Sequence, residues 1–245
     1  CALGKLTVVG IGPGDYENMT VRADRALRDC QVIVGYHVYV DLVRERYPDK
    51  EVLTTPMTRE ADRCRMALEE AKKGRDVAMV CSGDSGVYGM AGLIYQLRGE
   101  AAEPEVEVIP GLTAACSGAA LLGAPLTHDF AVVSLSDRLT AWETIEARLE
   151  AAAKSDLTLV LYNPASRARP DYLQRACGIL LRHLPEDRPC GVARSIGREG
   201  EGFELLTLES LRTYPADMFC TVFVGSSRTQ VIGGRLVTPR GYRDV

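Results

Sequence analysis

Lysine is nearly missing from this sequence. It stands at only five of 245 positions (5, 50, 72, 73 and 154), and the other 24 of the 29 basic residues are arginine. Thirty-three acidic residues leave a formal net charge of −4, which argues against a uniformly basic binder of polyanions such as nucleic acid. No run approaches the roughly 20 consecutive apolar residues of a membrane span, so no membrane partner is expected. The eight cysteines (1, 30, 64, 81, 116, 177, 190 and 220) form no CxxC pair and no Cys/His cluster at zinc spacing, and there are only three histidines. No metal site is expected, and Cys81 and Cys220 read as small core residues within apolar segments. The chain enters a strand-like segment almost at once, so no export signal is expected and a reducing cytoplasm is the expected compartment.

What remains is the composition of a folded chain, with 46% hydrophobic and 25% charged residues. The arginine excess has two readings. Codon usage in a GC-rich genome accounts for it without any function, whereas a guanidinium fork pairs with carboxylates and phosphates in a way lysine does not.

Strand-like runs at 6–9, 31–34, 76–81 and 106–109 alternate with helical stretches at 21–28, 58–73, 87–97 and from about 110 to 122. Thr20 reads as the N-cap of the first helix and Gly74 as the stop of the strongest one. This alternation predicts a parallel α/β sheet. Beyond Ala124-Pro125 come strands at 130–135, 157–162, 189–193, 203–207 and 219–224, with helices at 141–153, 171–184 and 209–212. The late strands follow one another with little helix between them, which predicts antiparallel pairing and a mixed sheet. The expected fold class is therefore α/β in two lobes, 1–124 and 125–245, parallel in the first and mixed in the second, with a ligand cleft between them.

Three segments carry the chemistry. Val9-Gly10-Ile11-Gly12-Pro13-Gly14-Asp15 follows the first strand, but Asp15 stands where a GxGxxG fingerprint needs glycine, Pro13 breaks the turn, and no GK[ST] follows for a phosphate loop. Its content is a compact loop whose backbone can approach a ligand. Cys81-Ser82-Gly83-Asp84-Ser85-Gly86 ends a buried strand; Asp84 there suits an amine or ribose hydroxyl, and equally suits the cap of the next helix. Pro110-Gly111-Leu112-Thr113-Ala114-Ala115 opens a helix and leaves its first amides unpaired.

In this order and spacing, VGIGPGD, SGDSGVYGMA and PGLTAA resemble the tetrapyrrole (corrin/porphyrin) methyltransferase family, and the resemblance covers essentially the whole chain. Gly35-Tyr36-His37-Val38-Tyr39-Val40-Asp41-Leu42, the LSD-x-LT-x-W element at 135–142, LYNP-x-S-x-x-R at 161–169 and TPRGY at 238–242 are similar to one branch. That branch methylates C17 of precorrin-3B, or its cobalt-bearing equivalent, and contracts the ring to precorrin-4 in cobalamin biosynthesis.

The resemblance implies S-adenosylmethionine as methyl donor, S-adenosylhomocysteine as product and a homodimer. Matched by motif, it implies a cofactor site at Pro13, Ser82, Gly83, Asp84, Val87, Thr113, Ala114, Tyr162, Asn163, Ala193, Thr238 and Pro239. Ring contraction moves protons, so an acid or base is implied. The candidates are His128, Asp129, Ser136, Asp137 and Tyr88, with His37 and Ser134 beside them. The polycarboxylate macrocycle suits bidentate arginines, for which Arg138, Arg167, Arg194, Arg228 and Arg240, with Arg169 and Arg198, are the candidates. Methylation at another corrin or porphyrin position stays open, as does a nicotinamide-dependent oxidoreductase of Rossmann type, although the missing fingerprint counts against the latter. A non-catalytic module would leave the convergence of glycine-rich loops unexplained.

Overall fold

The computed structural model describes residues 2–56 and 59–245. The chain divides into two compact units, Cys1–Thr113 and Ala114–Val245.

The first unit is built from β1 (Lys5–Gly10), α1 (Val21–Asp29), β2 (Val32–Tyr36), α2 (His37–Asp41), β3 (Glu51–Thr55), α3 (Glu60–Lys72), β4 (Val77–Cys81), α4 (Ala91–Arg98) and β5 (Glu105–Ile109). Its five strands are all parallel, in the order β3-β2-β4-β1-β5. Helices cover both faces, so the central strands are apolar throughout rather than alternating. Leu6, Val8, Val32, Val34 and Met79 meet α3 and α4 on one side, while Val9, Ile33, Ala78 and Val80 meet α1 and α2 on the other. The Thr20 hydroxyl accepts from the Ala23 amide at 3.0 Å, the N-cap expected of it. Gly74 follows α3 at φ +92. The predicted start of that helix, Thr58, lies outside the described residues.

The helix predicted at 87–97 begins only at Ala91. The amides of Gly86 and Val87 are turned onto the Asp84 carboxylate, and Tyr88 adopts φ +53, so 86–90 forms a turn and not a first helical turn.

The second unit comprises α5 (Ala114–Leu122), β6 (Gly123–Ala124), β7 (Phe130–Ser134), α6 (Trp142–Lys154), β8 (Thr158–Tyr162), α7 (Tyr172–Leu180), β9 (Pro189–Arg194), β10 (Gly202–Thr207), α8 (Leu208–Leu211), β11 (Cys220–Val224), β12 (Gln230–Ile232) and β13 (Arg235–Val237). The main sheet runs β10-β9-β11-β8-β7, and only β7 and β8 pair in parallel. The mixed sheet is thus present as expected. A small sheet, β12-β13-β6, accompanies it. α6, α7 and α8 pack on one face of the main sheet. On the other, Ala115, Ala119 and Leu122 of α5 pack with Val160, Ala193 and Phe223. That packing groups residues 114–124 with the second unit, about ten residues before the boundary read at 124/125.

Candidate functional site

In the first unit the connection after β1 leads across β4 to β2, while the connection after β4 leads across β1 to β5. Neighbouring strands whose crossovers leave in opposite directions mark the place where open parallel sheets hold ligands, at the carboxyl edge. The loops there are braced against each other. Gly12 and Gly83 exchange backbone hydrogen bonds, 3.0 Å from the Gly12 amide and 2.9 Å from the Gly83 amide. The Ser85 hydroxyl, buried, donates to the Ile109 carbonyl at 2.8 Å. Gly111 lies so close to both other loops that a Cβ on it would stand 2.2 Å from the Gly83 carbonyl oxygen and 2.7 Å from that of Gly10.

Asp84 is the tie. Its Oδ1 accepts from the Gly111 amide at 2.9 Å, and its Oδ2 from Gly86 and Val87 at 2.8 and 3.0 Å. Burial pushes this carboxyl up, but the backbone donors of Gly111, Val87, Gly86 and Ser85 outweigh it and hold the group below the usual carboxylate range. The expected cap of the next helix is not what its bonds describe: α4 starts after Met90, which has no side-chain cap, and Asp84 instead closes the turn at Gly86 and Val87 and ties it to Gly111. Pro13, in the loop after β1, is buried, while Val87 and Tyr88 are exposed at the turn. One residue that sequence reasoning treated only as a missing glycine stands out. Asp15 has its Oδ2 bonded to Asn18 at 2.7 Å, but its Oδ1 is buried without a hydrogen-bond partner. An acid directly after the strand-end glycines was the available signal.

In the second unit, β7, β8 and β9 all end at one edge of the sheet. The Tyr162 hydroxyl accepts from the Ala115 amide in the first turn of α5 at 2.6 Å. Asn163, at φ +55, donates from Nδ2 to the Ser134 hydroxyl at 2.9 Å. Tyr162→Phe should remove the acceptor at the start of α5 and cost about 1 kcal/mol in urea unfolding. An unchanged midpoint would show that the contact contributes nothing.

Ser136 and Asp137 follow β7 at this edge. Asp137 Oδ1 accepts from the Tyr172 hydroxyl at 2.6 Å, and Oδ2 lies 3.7 Å from Arg169 Nε. The Tyr172 ring stacks on Trp142 at 6.1 Å, and the Arg175 guanidinium lies 4.0 Å from the Trp142 ring centroid. The LSD-x-LT-x-W and LYNP-x-S-x-x-R elements are therefore one physical lock. The Tyr172 hydroxyl holds the Asp137 carboxyl below its ordinary range, and Arg169 adds to this. A carboxylate so held is ionised near neutrality and cannot donate a proton there.

The remaining candidates do not all join this edge. His128 and Asp129 precede β7, which puts them about 17–20 Å from the Ser134 end. There the Asp129 amide donates to His128 Nδ1 at 3.0 Å. Thr238 is fully buried, with its hydroxyl 2.7 Å from that of Thr229 in the loop after β11. That loop, with Arg228, lies at the edge where β8 and β9 begin, since Val224 pairs with Leu159 and Cys190. Pro239 and Arg240 follow Thr238, and Gly241 comes within reach of Arg228. So Arg138, Arg167 and Arg194 stand at one edge and Arg228 and Arg240 toward the other. Arg194 is engaged by Glu204 at 2.7 Å and the Tyr214 hydroxyl at 3.4 Å. Ala193 is buried in β9, Thr113 closes the first unit and Ala114 opens α5.

Among the described residues no group of three or more His, Cys, Asp or Glu side chains is placed to hold a metal ion, and no helix is long and apolar enough to cross a membrane. The family model of tetrapyrrole (corrin/porphyrin) methylases matches residues 5–212. A probable cobalt-factor III C(17)-methyltransferase of Salmonella typhimurium is 45% identical over 238 residues, covering 97% of this chain and 99% of that protein. The cobalt-factor III methyltransferase of Priestia megaterium is 42% identical over 245 residues and 98% of this chain, which spans only 45% of that longer protein. The crystal structure of the methyltransferase CobJ superimposes with a TM-score of 0.90 at 36% identity, covering 96% of this chain and 100% of that one. A family match over most of the sequence, on a parallel sheet followed by a mixed one, places the chain in the tetrapyrrole (corrin/porphyrin) methylase family.

Proposed function

We propose that this protein methylates C17 of a precorrin-3B-type macrocycle, with ring contraction to the precorrin-4 level, in cobalamin biosynthesis. The observation that carries the reading is the nearly end-to-end likeness to the Salmonella protein. Both curated relatives above are named for cobalt-factor III, which favours the cobalt-bearing macrocycle over metal-free precorrin-3B as substrate.

S-adenosylmethionine is the proposed donor, and when bound it supplies a methyl group already activated on a sulfonium. The residues at the carboxyl edge of the first unit suit such a ligand: the buried, unpartnered Asp15 Oδ1 is an acceptor for an amine or hydroxyl, among loops with little side-chain bulk. The chain's own work is to position and desolvate the reactants. Ser136 is the hydroxyl on the Asp137 loop that remains a candidate for moving a proton in ring contraction, while Asp137 itself fixes that loop. The family resemblance implies a homodimer, which a solution mass would test.

Calorimetric titration should show micromolar binding of S-adenosylhomocysteine and none of NAD. Incubation with S-adenosylmethionine and either cobalt-factor III or precorrin-3B should add one methyl group by mass spectrometry. Heat with NAD and silence with S-adenosylhomocysteine would remove the reading.

A further inference from the structure

Of the described residues, only Asp24 and Arg63 are charged and less than a tenth exposed. Asp24 is fully matched: it accepts from the Tyr47 hydroxyl at 2.6 Å and the Tyr16 hydroxyl at 3.3 Å, and pairs with Arg28 at 2.9 Å. Arg63, on α3, is not. Its Nε donates to the Thr55 hydroxyl at 3.0 Å and one terminal nitrogen to the Pro56 carbonyl at 3.1 Å, both neutral oxygens. Its guanidinium lies 5.7 Å from the Tyr36 ring centroid, and no carboxylate among the described residues pairs with it. A guanidinium has five N–H donors and a charge that burial leaves costly until an anion answers it.

The position of this charge gives it meaning. Tyr36 ends β2 and Thr55 ends β3, so Arg63 sits over the carboxyl ends of two adjacent strands, on the same edge as the braced loops of β1 and β4. Tyr36 itself belongs to the GYHVYVDL element, whose His37 and Tyr39 rings pack edge-on against it at 4.7 and 5.2 Å. Tyr36, held by these two rings, thus lies beside the one buried cation among the described residues of this edge.

We infer that Arg63 receives a carboxylate of the bound substrate, an acid arm of the macrocycle. The inference rests on the proposed reading. A second carboxylate source is the methionine part of the cofactor, but the bonds of Arg63 go to the end of β3 and its ring contact to the end of β2, whereas the loops that suit the cofactor follow β1, β4 and β5.

The test uses uroporphyrin III, a fluorescent octacarboxylate tetrapyrrole, and its octamethyl ester, with the full chain and its Arg63→Met and Arg63→Lys variants. Charge-assisted bidentate pairing predicts that Arg63→Met weakens binding of the acid by about ten- to a hundredfold. It should shrink the preference for acid over ester and leave S-adenosylhomocysteine binding unchanged. Arg63→Lys, which keeps the charge and loses the fork, should fall between. Equal affinity for uroporphyrin III in Arg63→Met overturns the inference, as does a loss confined to S-adenosylhomocysteine. If Arg63→Met does not fold, folded Arg63→Lys decides: weakened binding of the acid supports the assignment and wild-type binding overturns it. Failure of the wild type to bind S-adenosylhomocysteine would instead strike the proposed function, independently of the comparison among variants.

Discussion

Gly111→Ala should destabilise the protein by about 3 kcal/mol, a large cost for one methyl group. The added carbon would meet the Gly83 and Gly10 carbonyl oxygens at 2.2 and 2.7 Å and the Gly10 carbonyl carbon at 2.8 Å. All three are backbone atoms, so no side chain can rotate away, and the loop after β5 must separate from those after β1 and β4. That movement also breaks the Gly111 amide's bond to Asp84. Gly92 is the control. It lies within α4, and an added Cβ there would have nothing within 4 Å, so Gly92→Ala should stabilise by about 0.5–1 kcal/mol through helix propensity and a less flexible unfolded chain. Urea unfolding of both variants measures the contrast. A Gly111→Ala midpoint equal to the wild type would mean that the loops are not braced as described.

Asp84→Ala should cost about 2 kcal/mol at neutral pH, because three backbone amides lose a charged acceptor and two of them, on exposed Gly86 and Val87, can turn to water. Asp84→Asn should not rescue it. Asparagine has one acceptor oxygen and would present its amino group either to Gly111 or to the Gly86–Val87 pair. The pH dependence has a definite sign. The folded carboxyl is held below its unfolded value, so its contribution is complete above the unfolded pKa of about 4 and is lost as pH falls through the lower, folded one. The gap in stability between wild type and Asp84→Ala should therefore be constant from neutrality down to about pH 5 and narrow below about pH 4. Affinity for S-adenosylhomocysteine should fall with stability. A variant as stable as the wild type that no longer binds would assign the carboxylate to the ligand instead.

The parts of the fold that could be read from residues alone were those where one local rule dominates. Apolar runs bounded by glycine located most strands of both main sheets, and Thr20 and Gly74 marked helix ends by capping chemistry. The failures have physical causes. His37–Asp41 is β-branched and aromatic, a strand-like composition, yet forms helix α2 because Tyr36 has already ended β2 and its ring packs back on His37 and Tyr39. The late start of α4 depends on a carboxylate whose partners include Gly111, 27 residues away, which no local pattern contains. The hairpin of β12 and β13 was signalled by Gly233-Gly234, both at positive φ, but strands of three residues are too short to show alternation.

The candidate site divides in the same way. The three glycine-rich loops singled out in the sequence do lie together, bonded to one another at the carboxyl edge of the first sheet. The arginines were not legible, since their roles depend on strand direction. Arg194 and Arg228 look alike in sequence and stand at opposite edges of one sheet. Arg63, inside an ordinary amphipathic helix, carries no local mark at all.

The bracing of Gly12, Gly83 and Gly111 also bears on how the molecule assembles. These residues are brought together only by pairing β1 with β4 and with β5, contacts that close chain segments of about 70 and 100 residues. Such long closures are slow steps in folding a parallel sheet. The loop cluster therefore cannot exist until β1 has paired with both β4 and β5. Slow hydrogen exchange at the Gly12 and Gly83 amides, matching the rate set by global unfolding, would be its signature. Any ligand held there would then select fully folded chains and leave incomplete ones unoccupied.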